Sequence, residues 1–154
     1  MTIMKPTHPS DLFRRKLESI CRRFRVQLFY VFGSRAKEAR RIAEGAGNLD
    51  PGNRSDLDVA VDSNGPTPLS AREKAEFAIE IEDLFGSDRV DLVLLRDADP
   101  FMAVNIIRGQ RLFCADETAA DELELLILRR AGDLERFERQ RIRSILSLKE
   151  PLEV

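Results

Sequence analysis

The sequence predicts an α+β protein, α/β-like in its alternation, in which a mixed sheet of about four strands is covered by helices. Two observations carry this prediction. A chain of 154 residues with 43% apolar and 34% charged residues has the size and composition of one compact domain. Apolar segments of strand type alternate along it with amphipathic segments of helix type. We therefore expect one domain over residues 1–154, with its core in 10–116 and a helical segment at 117–148.

The first third is predicted to form a helix, a buried strand and a second helix. Ser10 is placed as the N-cap of a helix whose apolar residues lie on one stripe. The run VQLFYVF, 26–32, is β-branched and aromatic, as buried strands are, and Gly33 ends it. Residues 35–44 then have a helical pattern. The segment GAGNLDPGNRS, 45–55, has the composition of a loop.

The middle of the chain is predicted to form two further strands around a helix. The second strand is DLDVAVD, 56–62. Ser70 and Glu73 form a capping box for a helix that ends at Gly86, the expected C′ glycine. The third strand is RVDLVLL, 89–95, which is apolar on both faces apart from one acidic residue.

The last third is predicted to be mostly helical. Pro100 suits the first position of a helix, and Gly109 suits the C′ position after it. A short fourth strand, QRLFCAD, follows at 110–116. From 117 to 148 the apolar period is helical, and the pattern fits one long helix or two helices broken near Gly132.

Composition excludes several classes of protein. The net charge of −2 gives no general reason to expect nucleic acid or an anionic membrane as a partner. Residues 1–41 do carry 11 basic against 3 acidic side chains, which fits an anionic partner or simply a solvated helix face. No run approaches the roughly 18 apolar residues of a membrane span, so we expect a cytoplasmic protein. The only histidine, His8, excludes His-dependent triads, and Cys21 and Cys114 are expected to be reduced thiols.

Two carboxylates stand at the head of the second predicted strand. Asp56 and Asp58 are two positions apart, so both project from one face while Leu57 and its alternate neighbours point to the core. Carboxylates held this close repel each other unless a cation lies between them, and Mg²⁺ prefers such oxygen ligands. The alternative is that this strand face is simply wet, for which Asp62 on the same face is mild support.

A third carboxylate interrupts the third predicted strand. The neighbours of Asp91 imply packing on both faces, where an unpartnered carboxylate costs several kcal/mol. An ion pair with Arg89 or a position at an exposed strand end would explain it without chemistry. If the two strands are adjacent, Asp91 instead completes a cluster of three carboxylates.

A glycine and a serine, Gly33 and Ser34, lie between the first strand and the next helix. At such a junction, backbone N–H groups and the positive end of the helix dipole can receive a phosphate. The alternative is an ordinary strand-to-helix turn. The sequence contains neither GxxxxGK[ST] nor GxGxxG, so it is not a P-loop or a dinucleotide-binding protein of those types.

Together, these segments resemble the DNA polymerase β-like nucleotidyltransferases, and within them the minimal nucleotidyltransferases. The resemblance runs from about Gln27 to Asp116 and is carried by four segments: GSRA, SDLDVAVD, VDLVLL and PFMAVNIIRGQRLFCAD. It implies the nucleotidyltransferase fold. It also implies site roles for six residues. Gly33, Ser34 and Arg35 would bind the nucleotide; Asp56, Asp58 and Asp91 would bind two Mg²⁺ ions, with Mn²⁺ as a substitute, and Asp91 would also orient or deprotonate the acceptor hydroxyl.

The resemblance also implies a function. ATP or another NTP would be the substrate, and AMP would pass to a hydroxyl of a macromolecular acceptor. Minimal members are similar to antitoxins that pair with a HEPN-type RNase toxin and modify one of its tyrosines. The alternative is a non-catalytic binding module that neutralises or stabilises a partner by contact. Nucleic acid and membranes are not expected as partners, and a homo-oligomer is compatible with the sequence.

Two parts of the chain stay open at this point. The segment 35–55 has 21 residues, against about a dozen in the resembling family, and fits either a mobile flap or a longer surface loop. The segment 117–148 fits either a docking surface for the acceptor or a helix that closes the sheet.

Overall fold

The structure, a computed structural model, describes residues 9–149, with side chains described from 10 to 147; His8 lies outside this range. The described part contains five α-helices and four strands. In chain order they are α1 Pro9–Arg23, β1 Val26–Phe32, α2 Ala36–Ala43, β2 Leu57–Ser63, α3 Ala71–Phe85, β3 Val90–Leu94, α4 Pro100–Ile107, β4 Gln110–Cys114 and α5 Glu117–Lys149. Single 3₁₀ turns precede α2 and α4.

The sheet is mixed, as predicted. Its strand order is β3-β2-β1-β4. β1 is antiparallel to both β2 and β4, whereas β2 and β3 are parallel. The predicted α+β class with four strands is therefore confirmed. The prediction of one domain with its core in 10–116 stays a prediction.

Helices cover both faces of the sheet, because the strands bury apolar side chains on alternate sides. One core lies beneath α1, α2 and α3, and includes Leu17, Phe29, Leu57, Val59 and Phe77. The other lies beneath α4 and α5, and includes Tyr30, Phe32, Ala60, Ile106 and Ile127. The second core extends along the same face of β2 from which Asp58 projects.

Local capping explains both ends of α3 and the start of α4. Ser70 and Glu73 form the predicted capping box of α3, and Gly86 ends that helix in the left-handed conformation, with φ +69°. Asp99 caps α4 by accepting from the Phe101 and Met102 amides. Ser10 lies inside α1 rather than at its N-cap, because the helix begins at Pro9, and proline fits the first turn of a helix.

The last segment forms one unbroken helix, α5, without an interruption at Gly132. Its first half closes the sheet. Ala120 and Ile127 are buried against α4, and the buried Tyr30 hydroxyl donates to Glu124 Oε1 at 2.6 Å. Arg111 of β4 donates to Asp121 and Glu124 at 3.0 and 3.2 Å. Within residues 9–149, no helix is both long enough and apolar enough to cross a bilayer.

Candidate active site

The carboxyl end of β1 meets the amino ends of β2 and β3 at one end of the sheet. Phe32, the last residue of β1, is the register partner of Asp58. Asp58 is in turn the register partner of Asp91 on the parallel strand β3. Neighbouring strands are about 4.8 Å apart, so the two carboxylates start from adjacent backbone positions. The two strands are thus adjacent, which is the condition under which the sequence places Asp91 beside Asp58.

Asp56 adds a third carboxylate beside Asp58 and Asp91. It lies directly before β2, two residues from Asp58, and is only partly exposed. Alternation along an extended chain directs both carboxylates to the face that carries α4 and α5. The structure therefore brings together the three acidic residues that the sequence singled out.

Gly33 lies beside the Asp58 carboxylate. It has φ +76°, and with Ser34 it begins the 3₁₀ turn that leads into α2. A Cβ built on Gly33 would overlap Asp58 Oδ2 and lie 3.4 Å from Asp58 Cγ. Only glycine fits this position, because it has no Cβ to strain the left-handed backbone or to collide with the carboxylate. Gly33 and Ser34 are both exposed, so their backbone is open to a ligand.

The electrostatics of Asp58 reflect its neighbours. Burial raises the pKa of the Asp58 carboxyl above 3.8, and repulsion by Asp91 and then by Asp56 raises it further. The two neighbouring carboxylates thus disfavour the charged form of Asp58. A cation placed among them would relieve this repulsion.

Asp91 is more exposed than its sequence context suggested. It lies on β3, an edge strand, and its side chain is exposed. The expected packing on both faces of the strand is therefore wrong at this position, and the alternative of an exposed strand end describes Asp91 better. Its place in the site depends instead on its register with Asp58. Arg89 pairs with Asp56, at 3.6 Å, in a mostly exposed ion pair.

Asp62 does not support a wet strand face. It is 4% exposed, and its carboxylate accepts from Gln27 Nε2 and from Arg96 Nε at 2.5 and 2.8 Å. Ala60, between Asp58 and Asp62 on this face, is fully buried beneath α4 and α5. The face is therefore packed over most of its length, and only its end with Asp56 and Asp58 is open.

The carboxylate oxygens suit a hard divalent ion, although they do not form a complete set of metal ligands. Over the described range, no three His, Cys, Asp or Glu side chains are arranged as a ready ligand group. Mg²⁺ is commonly held by one or two carboxylates, with waters and substrate phosphates completing its coordination. Asp56 and Asp58 provide such oxygens beside an exposed glycine turn, so these residues fit the ion together with a bound triphosphate.

Arg35 has partners away from the carboxylates. It is 5% exposed, and its guanidinium donates to the Ser55 and Asp50 carbonyls, both at 3.0 Å, and to Glu38 at 3.4 Å. Glu38 in turn accepts from the Asp50 amide at 3.1 Å and from Asn53 Nδ2 at 3.3 Å. Arg35 Nε is buried without a hydrogen-bond partner. These contacts hold the loop between α2 and β2 against α2.

The same contacts favour the surface-loop interpretation of the segment 35–55. Leu49 packs against the core beneath α1 to α3, which anchors the middle of the loop. The Asp50 side chain accepts from the Gly52 amide, and the Asn53 side chain accepts from the Ser55 amide. The loop thus has its own order and leads directly to Asp56.

Sequence reasoning missed two residues that shape the site. Glu38 organises the loop, and its only sequence signal is a spacing of three residues from Arg35 on a helix. Gly109 lies behind the site: a Cβ there would be 2.5 Å from the Val31 carbonyl oxygen and 2.9 Å from Phe32 Cβ. Gly109 was predicted as a C′ glycine, and this close approach to β1 gives a further reason for it.

Comparison with known proteins adds a family and a fold. The family model described as "Polymerase beta, Nucleotidyltransferase" matches residues 15–118. A comparison with curated proteins gives no match.

Several solved structures have the same fold. A chain from a mutant MntA-HpeT toxin–antitoxin crystal structure superposes with a TM-score of 0.61 at 19% identity, covering 86% of this chain and 98% of that one. A chain from a toxin–antitoxin complex with AMP-PNP gives 0.60 at 20% identity, with the same coverage. A chain from a complex of the tri-AMPylated Shewanella oneidensis HEPN toxin with its MNT antitoxin gives 0.58 at 20% identity, covering 89% and 98%.

Proposed function

Because the chain belongs to the polymerase beta nucleotidyltransferase family, we propose that it transfers AMP from ATP to a hydroxyl of a protein partner. The observation that supports this proposal is that Asp58, with Asp56 and Asp91 beside it, lies against the exposed turn at Gly33. Carboxylates and a glycine-lined helix start are the two parts that a metal-bound triphosphate requires.

Each part of the site has a proposed role in binding. The backbone at Gly33 and Ser34 would receive the phosphates, since both residues are exposed and lie one turn before α2. Asp56 and Asp58 would hold Mg²⁺, which when bound neutralises charge on the triphosphate. Arg89, now paired with Asp56, would release that carboxylate. Arg35 would act on the nucleotide indirectly, by holding the loop that leads to Asp56.

The transfer itself follows from this placement. The acceptor hydroxyl oxygen attacks the α-phosphorus of ATP, a new phosphate ester forms, and the bond to the bridging oxygen breaks to release pyrophosphate. Asp91, the most exposed of the three carboxylates, would take the hydroxyl proton on its Oδ atoms. Holding the reactants in line supplies much of the rate.

The proposed acceptor is a tyrosine of a HEPN-type RNase toxin, which would make this chain an antitoxin. The support is that structures with the same fold include a complex of an AMPylated HEPN toxin with its MNT antitoxin. The exposed Asp91 is consistent with a large acceptor, because a protein surface can approach the edge strand directly.

Labelling with α-³²P-ATP and Mg²⁺ tests this proposal. The protein is incubated with a lysate of its own source, beside Asp58→Asn and Asp91→Asn variants. Asp97→Asn is the matched control, since Asp97 is an exposed aspartate just beyond the opposite end of β3. We expect one labelled protein band that Asp97→Asn retains and the other two variants lose by at least about 100-fold.

The labelling also separates the enzyme from a non-catalytic binding module. A binding module would co-purify with its partner equally well in the wild type and in Asp58→Asn, and no NTP would label the partner. That result would reject nucleotidyl transfer.

A further inference from the structure

The helix α5 is longer than the surface that it covers. Among the described side chains of α5, Ile127 is the last buried one, and Ala131 and Gly132 are partly buried. From Asp133 to Ser147, every side chain is exposed except that of Glu138, which is partly buried. At about 1.5 Å per residue, the part from 133 to 149 is roughly 25 Å long.

This distal part carries an apolar stripe. The distal stripe consists of Leu134, Phe137, Ile142, Ile145 and Leu146, which are 38% to 62% exposed. Leu134 and Ile145 follow Ile127 by about two and five whole helical turns, so they continue the face that is buried nearer the sheet. An apolar helix face that is left exposed in the described part of the chain is typical of a helix that packs on another chain.

The charges along the distal part are divided between its two halves. Residues 133–138 carry three acidic side chains and one arginine, whereas residues 139–147 carry three arginines and no acidic side chain. Two parallel copies of this segment would bring like charges together. Two antiparallel copies would bring the acidic half of each against the basic half of the other.

We propose that the distal part of α5 pairs with the same segment of a second copy in antiparallel orientation. A register centred between Arg139 and Gln140 sets Leu134 level with Ile145 of the second copy. The same register sets Phe137 level with Ile142, and Glu138 level with Arg141. This register thus pairs four of the five stripe residues and sets an acidic residue against a basic one, whereas Leu146 is level with Asp133.

The ion pairs within the distal part of α5 do not prevent it from pairing with a second copy. Arg139 contacts Glu135 at 2.6 Å and Arg141 contacts Glu138 at 3.2 Å, and both pairs lie within one helix at its surface. Such surface pairs contribute little and can be exchanged for pairs between copies. A contact of one short helix on each side is below the usual size of stable interfaces, so we expect dissociation constants in the roughly micromolar range.

Sedimentation velocity over about 5 to 500 µM tests the pairing on the full chain. The wild type should shift with concentration from the 17.5 kDa monomer toward a species of twice that mass. Phe137→Asp and Ile142→Asp should each weaken self-association at least tenfold. Ile79→Asp is the matched control, because Ile79 is 56% exposed on α3, and it should associate as the wild type does.

Disulfide trapping tests the orientation. In a Cys114→Ser background, mixing the Leu134→Cys and Ile145→Cys proteins should give a cross-linked dimer, whereas neither protein should cross-link alone. Self-linking of each single variant would show parallel pairing and overturn the proposal. A wild type that stays monomeric over the whole concentration range would also overturn the proposal. If Phe137→Asp then loses binding to a different protein, the stripe binds that protein and not a second copy. The labelling of a partner by ATP does not enter these measurements.

Discussion

The Asp58 carboxylate lies against the α-carbon of Gly33, so the side chain at position 58 restricts position 33 to glycine. A Cβ at position 33 would overlap Asp58 Oδ2. Because the glycine turn would receive the triphosphate and Asp58 the metal ion, this contact sets the spacing between the two halves of the proposed site. It also joins β1 to β2 at the point where Phe32 and Asp58 are in register.

Replacing Gly33 by alanine should therefore damage both stability and transfer. The left-handed backbone, φ +76°, costs an alanine about 1–2 kcal/mol, and the new methyl group displaces Asp58. A displacement of about 1 Å can reduce the rate roughly 100-fold. Urea denaturation measures the first effect and the labelling assay the second.

Gly47→Ala is the control for this substitution. Gly47 has φ +98°, and a Cβ there would meet no atom within 4 Å, so its variant bears the backbone cost alone. We expect Gly47→Ala to lose some stability and to keep its transfer activity. Equal activity in the two variants would contradict a role for the Gly33–Asp58 contact.

The class of fold was predictable because it depends on local periodicity. Val26–Phe32 has the composition of a buried strand, and Ser70 with Glu73 signals a helix start wherever it occurs. Burial of acidic residues was harder to predict, because it depends on partners distant in sequence. Asp62 is buried because Gln27 and Arg96 donate to it, 35 and 34 residues away.

The proximity of the three candidate carboxylates was predictable from the sequence, but their environments were not. Asp56 and Asp58 share a face by simple alternation, which sequence spacing reveals. Whether Asp91 is buried depends on β3 being an edge strand, and strand order is a property of the whole sheet. The partners of Arg35 are mostly backbone carbonyls of a loop, and side-chain patterns carry no signal of such contacts.

Asp58→Asn should stabilise the fold at neutral pH in the absence of divalent ions. The pKa of Asp58 is raised in the folded state, so the folded protein binds this proton more readily than the unfolded chain does. The ionised carboxylate thus lowers stability above the folded pKa, and this loss disappears as the pH falls toward 3.8. Melting temperatures from pH 8 to pH 4 should show an advantage for the variant that shrinks on acidification.

An NMR titration of Asp58 provides a second measurement of the same effect. In Asp91→Asn, the pKa of Asp58 should move down toward 3.8, because repulsion by Asp91 is the second cause of its elevation after burial. A stability difference that is constant with pH, together with an unmoved titration in Asp91→Asn, would contradict this account of the site.

Arg35→Ala should destabilise the protein by about 2–4 kcal/mol. The substitution removes a buried guanidinium, leaves the Asp50 and Ser55 carbonyls without its N–H donors, and removes one of the three donors to Glu38. Urea denaturation measures the loss, and limited proteolysis should show faster cleavage between residues 45 and 55. Arg54→Ala is the matched control, an exposed arginine on the same loop that should stay close to wild type.

The same pair of variants separates a loop anchor from a direct nucleotide ligand. An Arg35→Ala protein as stable as the wild type, with nucleotide affinity alone reduced, would show that Arg35 contacts the nucleotide directly.

Mg²⁺ with a non-hydrolysable ATP analogue should raise the melting temperature, because both ligands would bind only the folded site. At 100 times the dissociation constant, mass action adds about 2.7 kcal/mol, or roughly 5–10 °C for a domain of this size. EDTA should remove most of the shift, since the triphosphate alone would add charge to three carboxylates that already repel one another. Asp97→Asn should keep the shift. An equal shift in EDTA would mean that the nucleotide binds without a metal ion, and Asp56 and Asp58 would then need another role.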